Sequence, residues 1–454
     1  MLYEIETFVY DSLKNILYKK DLTDEQIKTI NDNIKEDEMY HSEIIRLNKA
    51  QKNFVSFSQK TIERAGISLT FNCCLRCNYC SQSSVDGIED CLSEEDIRAF
   101  LTDIVKKRVI SAIAKNESPT LELYFTGGGE PTYNWDLFCS TILLVRKICS
   151  ENDVELTLSL TSNCILNDAQ RLFVAENFDK IMVSYDGITD IHNKNRKTKN
   201  DSSTAELVES NIKYFLNVGK YVVIRSTVWQ DDFKRLIDMG KFIISQFPTI
   251  SSWDINPVTP AGRAIEKMKS NKSLKENSFV DYFVQLVNFF ETQETSIKVT
   301  SPLLAKGYTG FACGAITSNT ESLWLFPNKK ITTCIDSSEI INEVGKIDDG
   351  KVIFYEDYND VILKMGLKKY VECRECFAFY VCGGGCPIKH IREEQFKTGM
   401  MDWECDMEKQ YWKYVLSQLI KNGRYENVYL ENICFPNISE HAPVYKIKWE
   451  DDET

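Results

Sequence analysis

Residues 66–80 read Gly-Ile-Ser-Leu-Thr-Phe-Asn-Cys-Cys-Leu-Arg-Cys-Asn-Tyr-Cys. Gly66 to Phe71 is a short apolar run of strand type, and it leads directly into Cys73, Cys77 and Cys80, separated by three and two residues. A tight loop after a strand can bring three thiolates to one inorganic centre. A closed structural zinc site takes four ligands, and a fully ligated iron–sulfur cube takes four cysteines. Three thiolates on a cube leave one iron open to a small molecule. The rival is a zinc site completed by a distant His, in a chain with only four His. Cys74 adjoins Cys73, but Cys73 fits the spacing.

The strand-then-polar-loop pattern repeats downstream. Leu121 to Phe125, Val154 to Leu160, Lys180 to Tyr185, Tyr221 to Val228 and Ser252 to Pro257 read as strands. Helices are predicted between them, opening at Ser93-Glu94-Glu95-Asp96 and from about Trp135, Asn167, Thr204 and Phe233. Six βα-type units in about 190 residues predict an α/β fold with a parallel sheet and outer helices. Periodicity alone does not choose between an open doubly wound sheet and a partial barrel. Polar groups end consecutive strands: Gly127-Gly128-Gly129-Glu130-Pro131, Thr161-Ser162-Asn163 and Ser184-Tyr185-Asp186-Gly187. Active sites of barrels and open α/β sheets are built at such C-terminal strand ends. Glycines there let a ligand approach the main chain, whose carbonyls accept hydrogen bonds from an ammonium group.

Composition narrows the class. The 454 residues predict two to four domains. With 43% hydrophobic residues the chain can build cores, which excludes global disorder. The net charge of −13, without a basic stripe, argues against nucleic acid. The sequence has neither a signal peptide nor an apolar run of the roughly 18 residues a membrane span requires. A soluble cytoplasmic protein is expected. Residues 1–62 read as a short polar helical region, with Thr23 and Gln26 as a capping box. Residues 263–300 read as a helical connection, 301–410 as an irregular Cys- and Gly-rich domain, and 411–454 as a C-terminal helix and polar tail.

Cysteines are numerous, sixteen in all, and a reducing compartment keeps them from pairing. Besides the first trio, Cys373, Cys376, Cys382, Cys386 and Cys405 cluster with ligand-like spacing, and Cys313 and Cys334 lie upstream. A zinc arrangement is the rival here as well. Cys74, Cys91, Cys139, Cys149, Cys164 and Cys434 read as small buried hydrophobes. His192 and His390 read as hydrogen-bonded core or surface residues. Asp254 and Asp336 are carboxylates that could serve as bases, but nothing fixes their positions, and no catalytic residue is assigned.

Cys73, Cys77 and Cys80, the GGEP segment at 128–131 and the Ser184–Gly187 segment resemble the radical S-adenosylmethionine (SAM) enzymes. The likeness covers about 65–260, so the barrel domain is placed at 63–262. The resemblance implies a partial (β/α)6 TIM-like barrel with a 4Fe–4S cluster on the three cysteines and SAM on the open iron. It implies Tyr79 near adenine, Gly128, Gly129 and Glu130 at the methionine amino group, and Ser162, Asn163, Ser184 and Arg196 near the ribose or carboxylate. It also implies reductive cleavage to a 5′-deoxyadenosyl radical and an electron donor of flavodoxin or ferredoxin type.

The second cysteine group is similar to the SPASM extension of peptide-modifying radical SAM enzymes. That likeness implies two auxiliary clusters, one on Cys313, Cys334 and Cys386, the other on Cys373, Cys376, Cys382 and Cys405. Fully ligated members carry a further Cys where this chain has Asn319. Sulfatase-maturing members carry Asp directly after the position of Cys334, where this chain has Ile335 and then Asp336. The expected function is therefore a peptide maturase. It would join a Cys of a ribosomally made precursor peptide to a carbon through a thioether, as in ranthipeptide or sactipeptide maturation. Carbon–carbon or carbon–oxygen crosslinking and formylglycine formation are the alternatives. Such enzymes often bind a leader peptide as an added strand, a role open to residues 1–62.

Overall fold

The computed structural model describes residues 2–5, 8–11, 16–19, 23, 25, 61–84, 87, 92–259, 261–270, 279–301, 303–304, 320–335, 343–355, 365, 368–369, 372–373, 376–378, 382, 384–397, 400–421, 428–430 and 444–446. The chain forms two compact units. One comprises Val55–Thr300 and Ser318–Val361, the other Met1–Phe54, Ser301–Thr317 and Ile362–Thr454.

The N-terminal expectation is corrected. Among the described residues, β1 (Leu2–Ile5), β2 (Phe8–Asp11) and β3 (Ile16–Lys19) form an antiparallel meander rather than helices. The apolar spacing 2, 5, 9, 13, 16 mimics a helical stripe. However, each short run is rich in Tyr, Phe, Val and Ile, which favour strands. Glu25 is helical, as the predicted cap at Thr23 requires, while Gln26 lies outside the described residues.

The larger unit is a sheet wrapped by helices. β4 (Thr61–Ile67) leads into the cysteine loop. Then follow α1 (Glu94–Lys115), β5 (Thr120–Phe125), α2 (Trp135–Glu151), β6 (Glu155–Ser162), α3 (Asp168–Asn177) and β7 (Lys180–Ser184). The series continues through α4 (Thr189–Asn195), α5 (Ala205–Asn217), β8 (Tyr221–Val228), a 3₁₀ turn at Gln230–Arg235, α6 (Leu236–Gln246) and β9 (Ser252–Pro257). Helix starts follow the sequence signals. Ser93 and Asp96 form a capping box, as do Asn167 and Gln170.

Strands β4 to β9 lie in sequential order, each parallel to the next. A doubly wound sheet reverses strand order at a switch point. No reversal occurs here, and the fold is a partial barrel. The 263–300 segment holds α7 (Ala264–Ser270) and α8 (Phe279–Glu291), and it ends in a strand, β10 (Lys298–Thr300), parallel to β9.

The other edge brings a second correction. Residues expected in the cysteine-rich domain extend the barrel sheet instead: β11 (Thr320–Leu325) pairs parallel with β4. β12 (Lys330–Thr332), β13 (Glu343–Asp348) and β14 (Lys351–Phe354) continue it antiparallel. Leu323 and Leu325 are fully buried, so β11 covers an edge that β4 would otherwise expose.

Alternation separates the two sheet faces. Phe125 meets Phe138 of α2 and Phe178 edge-on at 5.5 Å, and Phe138 stacks on Phe178 at 5.6 Å. Each such pair adds roughly 1 kcal/mol beyond area burial. Trp253 of β9 packs near Phe290 of α8 in the same outer layer. The opposite, concave face carries Arg64, Glu122, Tyr124, Lys180, Ser184, Arg225, Thr227, Asp254 and Asn256, and Trp324 of β11 lies over Gly66, beside Tyr124. At its lower end Glu122 binds Lys180 at 2.7 Å and Arg64 at 3.8 Å.

In the smaller unit α9 (Pro387–Phe396) and α10 (Met400–Lys421) are followed by β15 (Val428–Leu430) and β16 (Val444–Lys446). The expected polar tail thus contains strands, and β15 pairs with β3 to give the order β1-β2-β3-β15-β16. Among the described residues, no helix is long and apolar enough to cross a membrane.

Candidate functional site

The cysteine loop leaves β4 earlier than predicted, because regular pairing ends at Ile67 and Ser68 to Asn72 run on as buried irregular chain. Gly127, Gly128 and Gly129 follow β5 and pack against this chain. A Cβ on Gly129 would lie 2.1 Å from the Asn72 carbonyl oxygen, and one on Gly128 2.5 Å from the Phe71 ring. Gly127 has φ +133°, and its Cβ would meet Ser68. These glycines therefore serve close contact between two loops, besides any ligand. Asn72 O accepts from Glu130 N at 2.8 Å, which ties the GGEP turn to the residue before Cys73.

Glu130 is buried and fully engaged. Its Oε1 accepts from Ser162 Oγ at 2.7 Å and Thr132 Oγ1 at 2.9 Å, and its Oε2 from Asn163 N at 2.8 Å. Burial pushes its pKa up against the pull of these hydrogen bonds. Sequence reading placed Glu130, Ser162 and Asn163 at a ligand. The structure brings all three together, with Glu130 bracing the ends of β5 and β6. Asn163 Nδ2 also lies 3.4 Å from Cys74 Sγ and 3.9 Å from Cys73 Sγ. The carbonyl of Gly128 accepts from Ser84, which keeps one lone pair for a second donor.

The far side of the loop rests on β7 and β8. Tyr79 donates its hydroxyl to Asp186, a fully buried carboxylate just beyond β7. Asp186 also accepts from Arg196 Nε at 3.0 Å, Thr227 N at 3.2 Å and Asn195 Nδ2 at 3.4 Å. Arg196 lies over the Tyr79 ring, 5.4 Å from its centre. Burial alone would lower the Arg196 pKa, but Asp186, Tyr79 and Cys77 together outweigh it and hold the guanidinium above its ordinary value. Tyr79 joins Trp229, Val258, Ala264 and Met268 in an apolar cluster against which Cys77 packs.

His192 is buried, as the hydrogen-bonded-core reading requires. Its Nδ1 accepts from Asp186 N at 3.3 Å, so Nε2 carries the proton toward Thr204 Oγ1 at 3.1 Å. Burial lowers its pKa to about 4. His390 similarly places Nε2 2.7 Å from Gly384 O.

Three residues escaped sequence reading. Arg263 donates to Cys77 O at 2.8 Å and to Ser84 O, and its own N–H to Cys80 O at 3.1 Å. Gly262 has φ +51°, and a Cβ there would stand 2.2 Å from Cys80 O. Asn78 is held by Asn195 and by Trp229 Nε1 at 2.8 Å. The Gly-Arg pair just past the last barrel strand was the available signal.

The thiols show what the loop is suited to hold. Burial raises Cys77 to about 11, with Arg196 and Arg263 pulling the other way. The hydrogen bond with Cys74 pushes the Cys73 thiol up, and burial and Glu130 add to it; the same contact holds the Cys74 thiol down. Half-buried thiols on a braced loop between two guanidinium groups fit an anionic thiolate-bound cluster, which supplies the drive to release their protons. Among the described residues no three His, Cys, Asp or Glu side chains meet as a single-ion site.

In the smaller unit burial raises the Cys373 thiol and raises Cys405 to about 11, and the nearby Cys376 adds to both. Cys376 N donates to Cys373 O at 2.7 Å. Gly384 and Gly385 have φ +88° and +79°, and this left-handed turn delivers Cys386 to the N-cap of α9. Cys334 follows β12 in the barrel unit. Cys313, Asn319, Asp336, Cys434 and Cys91 lie outside the described residues. Asp254 is paired rather than free, with Arg225 Nη2 at 3.5 Å and Thr300 Oγ1 at 2.5 Å.

Residues 67–240 match the family model of the radical SAM superfamily. The chain carries a radical SAM domain. Over 361 residues it is 23% identical to the cysteine-type anaerobic sulfatase-maturating enzyme of Clostridium perfringens, covering 77% of this chain and 94% of that protein. The structure of native anSMEcpe with bound AdoMet and Cp18Cys peptide matches with a TM-score of 0.58 and 18% identity, covering 80% and 98% of the two chains. Streptococcus suis SuiB bound to S-adenosylmethionine matches with a TM-score of 0.51 and 16% identity, covering 82% and 81%. The chain is thus an enzyme with a radical SAM domain, which uses SAM and a 4Fe–4S cluster, and it shares its fold with these two solved structures.

Proposed function

We propose that this radical SAM enzyme oxidises a Cys side chain of a peptide or protein substrate, as the name of its cysteine-type sulfatase-maturating relatives suggests. The similarity that spans 94% of such a relative carries this reading. It favours the formylglycine-forming alternative over the thioether maturase expected from sequence.

In this reading Cys73, Cys77 and Cys80 hold the SAM-binding cluster. Cys373, Cys376, Cys382 and Cys405 close one auxiliary cluster, and Cys313, Cys334 and Cys386 belong to the other. When bound, the cluster and SAM supply a 5′-deoxyadenosyl radical that abstracts hydrogen from an unactivated C–H. The chain's own residues bind, orient and exclude water. Tyr79, Arg196 and Asp186 would wall the cofactor side of the loop, and the main chain of Gly128 and Gly129 would hold the methionine amino group. Ser162 and Asn163 position that turn through Glu130, and Ser184 stands at the end of β7. A flavodoxin- or ferredoxin-type protein would supply electrons.

Ile335 after Cys334, where sulfatase-maturing members carry Asp, supports thioether formation as the second reading. Anaerobic incubation with a Cys-containing peptide separates the two. A lost thiol with a new carbonyl-reactive aldehyde supports oxidation. A lost thiol with loss of two hydrogens and no aldehyde supports the thioether. Unchanged peptide, with its thiol still alkylatable, refutes both.

A further inference from the structure

The concave face of the barrel holds a polar row. Ser184 is the register neighbour of Arg225, Arg225 of Asp254, and Asp254 of Thr300. Asn256 and its neighbour Thr227 lie one step further toward the C-terminal strand ends on the same face. Asp254 is satisfied by Arg225 Nη2 and Thr300. Two atoms of the row are left over. Arg225 Nε is buried with no hydrogen-bond partner, and so is Asn256 Oδ1. An unpaired buried polar atom is unfavourable because it has lost its water and gained no partner, so two such atoms on one face call for a group that satisfies them.

The two orphans are complementary. Arg225 Nε–H needs an acceptor, and Asn256 Oδ1 needs a donor. A main-chain amide of an extended peptide presents both, C=O and N–H. A carboxylate or phosphate would satisfy Arg225 but repel Asn256 Oδ1. We propose that Arg225 and Asn256 form a main-chain clamp that binds a peptide amide of the substrate beside Ser184, and so sets which residue faces the radical. The inference rests on the peptide-substrate reading above and adds the residues that hold the peptide. Arg225 keeps its charge balanced by Asp254, so the clamp selects a neutral peptide bond rather than an anion. Among the described residues β10 pairs only with β9 and ends the row.

The test uses the anaerobically reconstituted, SAM-loaded full-length enzyme and a panel of short fluorescent peptides with one central Cys. Each peptide is compared with versions N-methylated at single positions around the Cys. The clamp predicts one position where N-methylation weakens binding about tenfold or more in the natural protein. In Asn256→Ala the same N-methylation has an effect near onefold, and in Asn256→Asp, which keeps an acceptor, the sensitivity returns. Arg225→Lys, which keeps the charge but removes Nε–H, weakens all peptides without abolishing the N-methyl effect. These ratios are taken within one variant, so a shared loss of folded protein cancels. If peptides bind but the N-methyl effect is identical in Asn256→Ala, the clamp is wrong and the peptide reading stands. If no peptide binds the natural protein, both are overturned.

Discussion

Removing the Asp186 carboxylate strands a charge inside the protein. Asp186 is fully buried, and the Arg196 side chain it pairs with at 3.0 Å is only 9% exposed. Breaking a buried pair from one side costs about 3–5 kcal/mol, because the remaining ion is left desolvated. Asp186→Ala also deprives Tyr79, Asn195 and Thr227 N of an acceptor, at about 1 kcal/mol each where water cannot replace it. In a unit of this size the change should lower the melting temperature on the order of 10 °C. Anaerobic thermal unfolding followed by circular dichroism measures it. The double variant Asp186→Leu/Arg196→Met removes both charges and should recover much of the loss. A single variant within about 1 kcal/mol of the natural protein, or a double variant no more stable than the single, would refute the argument.

Gly129→Ala should overpack the turn against the Asn72 carbonyl by about 1–3 kcal/mol and lower the iron bound by the cysteine loop, read by iron and sulfide analysis. Arg263→Ala should leave the fold intact but loosen Cys77 and Cys80, so that a chelator strips cluster iron several-fold faster. His192 is buried neutral with a pKa near 4, below its unfolded value, so the unfolded chain gains a proton first. Stability should therefore fall as the pH is lowered from about 7 to 5, by about 2 kcal/mol. His192→Gln should flatten that slope in urea titrations at the two pH values. Reconstituted protein should hold on the order of a dozen irons, and replacing Cys373 and Cys376 by Ala should remove about four of them; zinc in their place would contradict the assignment.

The barrel was legible because each of its strands carries its own local signal. Val154 to Leu160 alternates, Leu121 to Phe125 and Tyr221 to Val228 are short strand-like apolar runs, and Ser93 and Asn167 announce their helices through capping boxes. Even the choice the sequence left open, barrel or doubly wound sheet, was settled by order alone. The first twenty residues were misread because one apolar pattern satisfies both a helical stripe and three short strands, and only pairing across the meander decides. The strands at Val428–Leu430 and Val444–Lys446 are three residues each, too short to signal, and β15 depends on a partner over 400 positions away. At the site, the cysteines and polar strand ends were visible as motifs. The Tyr79–Asp186–Arg196 contact and the Gly262–Arg263 brace were not, since spacing cannot report which distant side chains meet. Glu130 was found, but its bonds to Ser162, Asn163 and Thr132 give it a bracing part that the motif did not suggest.

Product analysis of SAM turnover bears on all of this at once. Anaerobically reconstituted protein given SAM and dithionite should release 5′-deoxyadenosine and methionine, and Ala at Cys73, Cys77 or Cys80 should abolish both products. Intact SAM after prolonged incubation of fully loaded protein, or equal turnover by the Cys variants, would contradict the assignment of the loop.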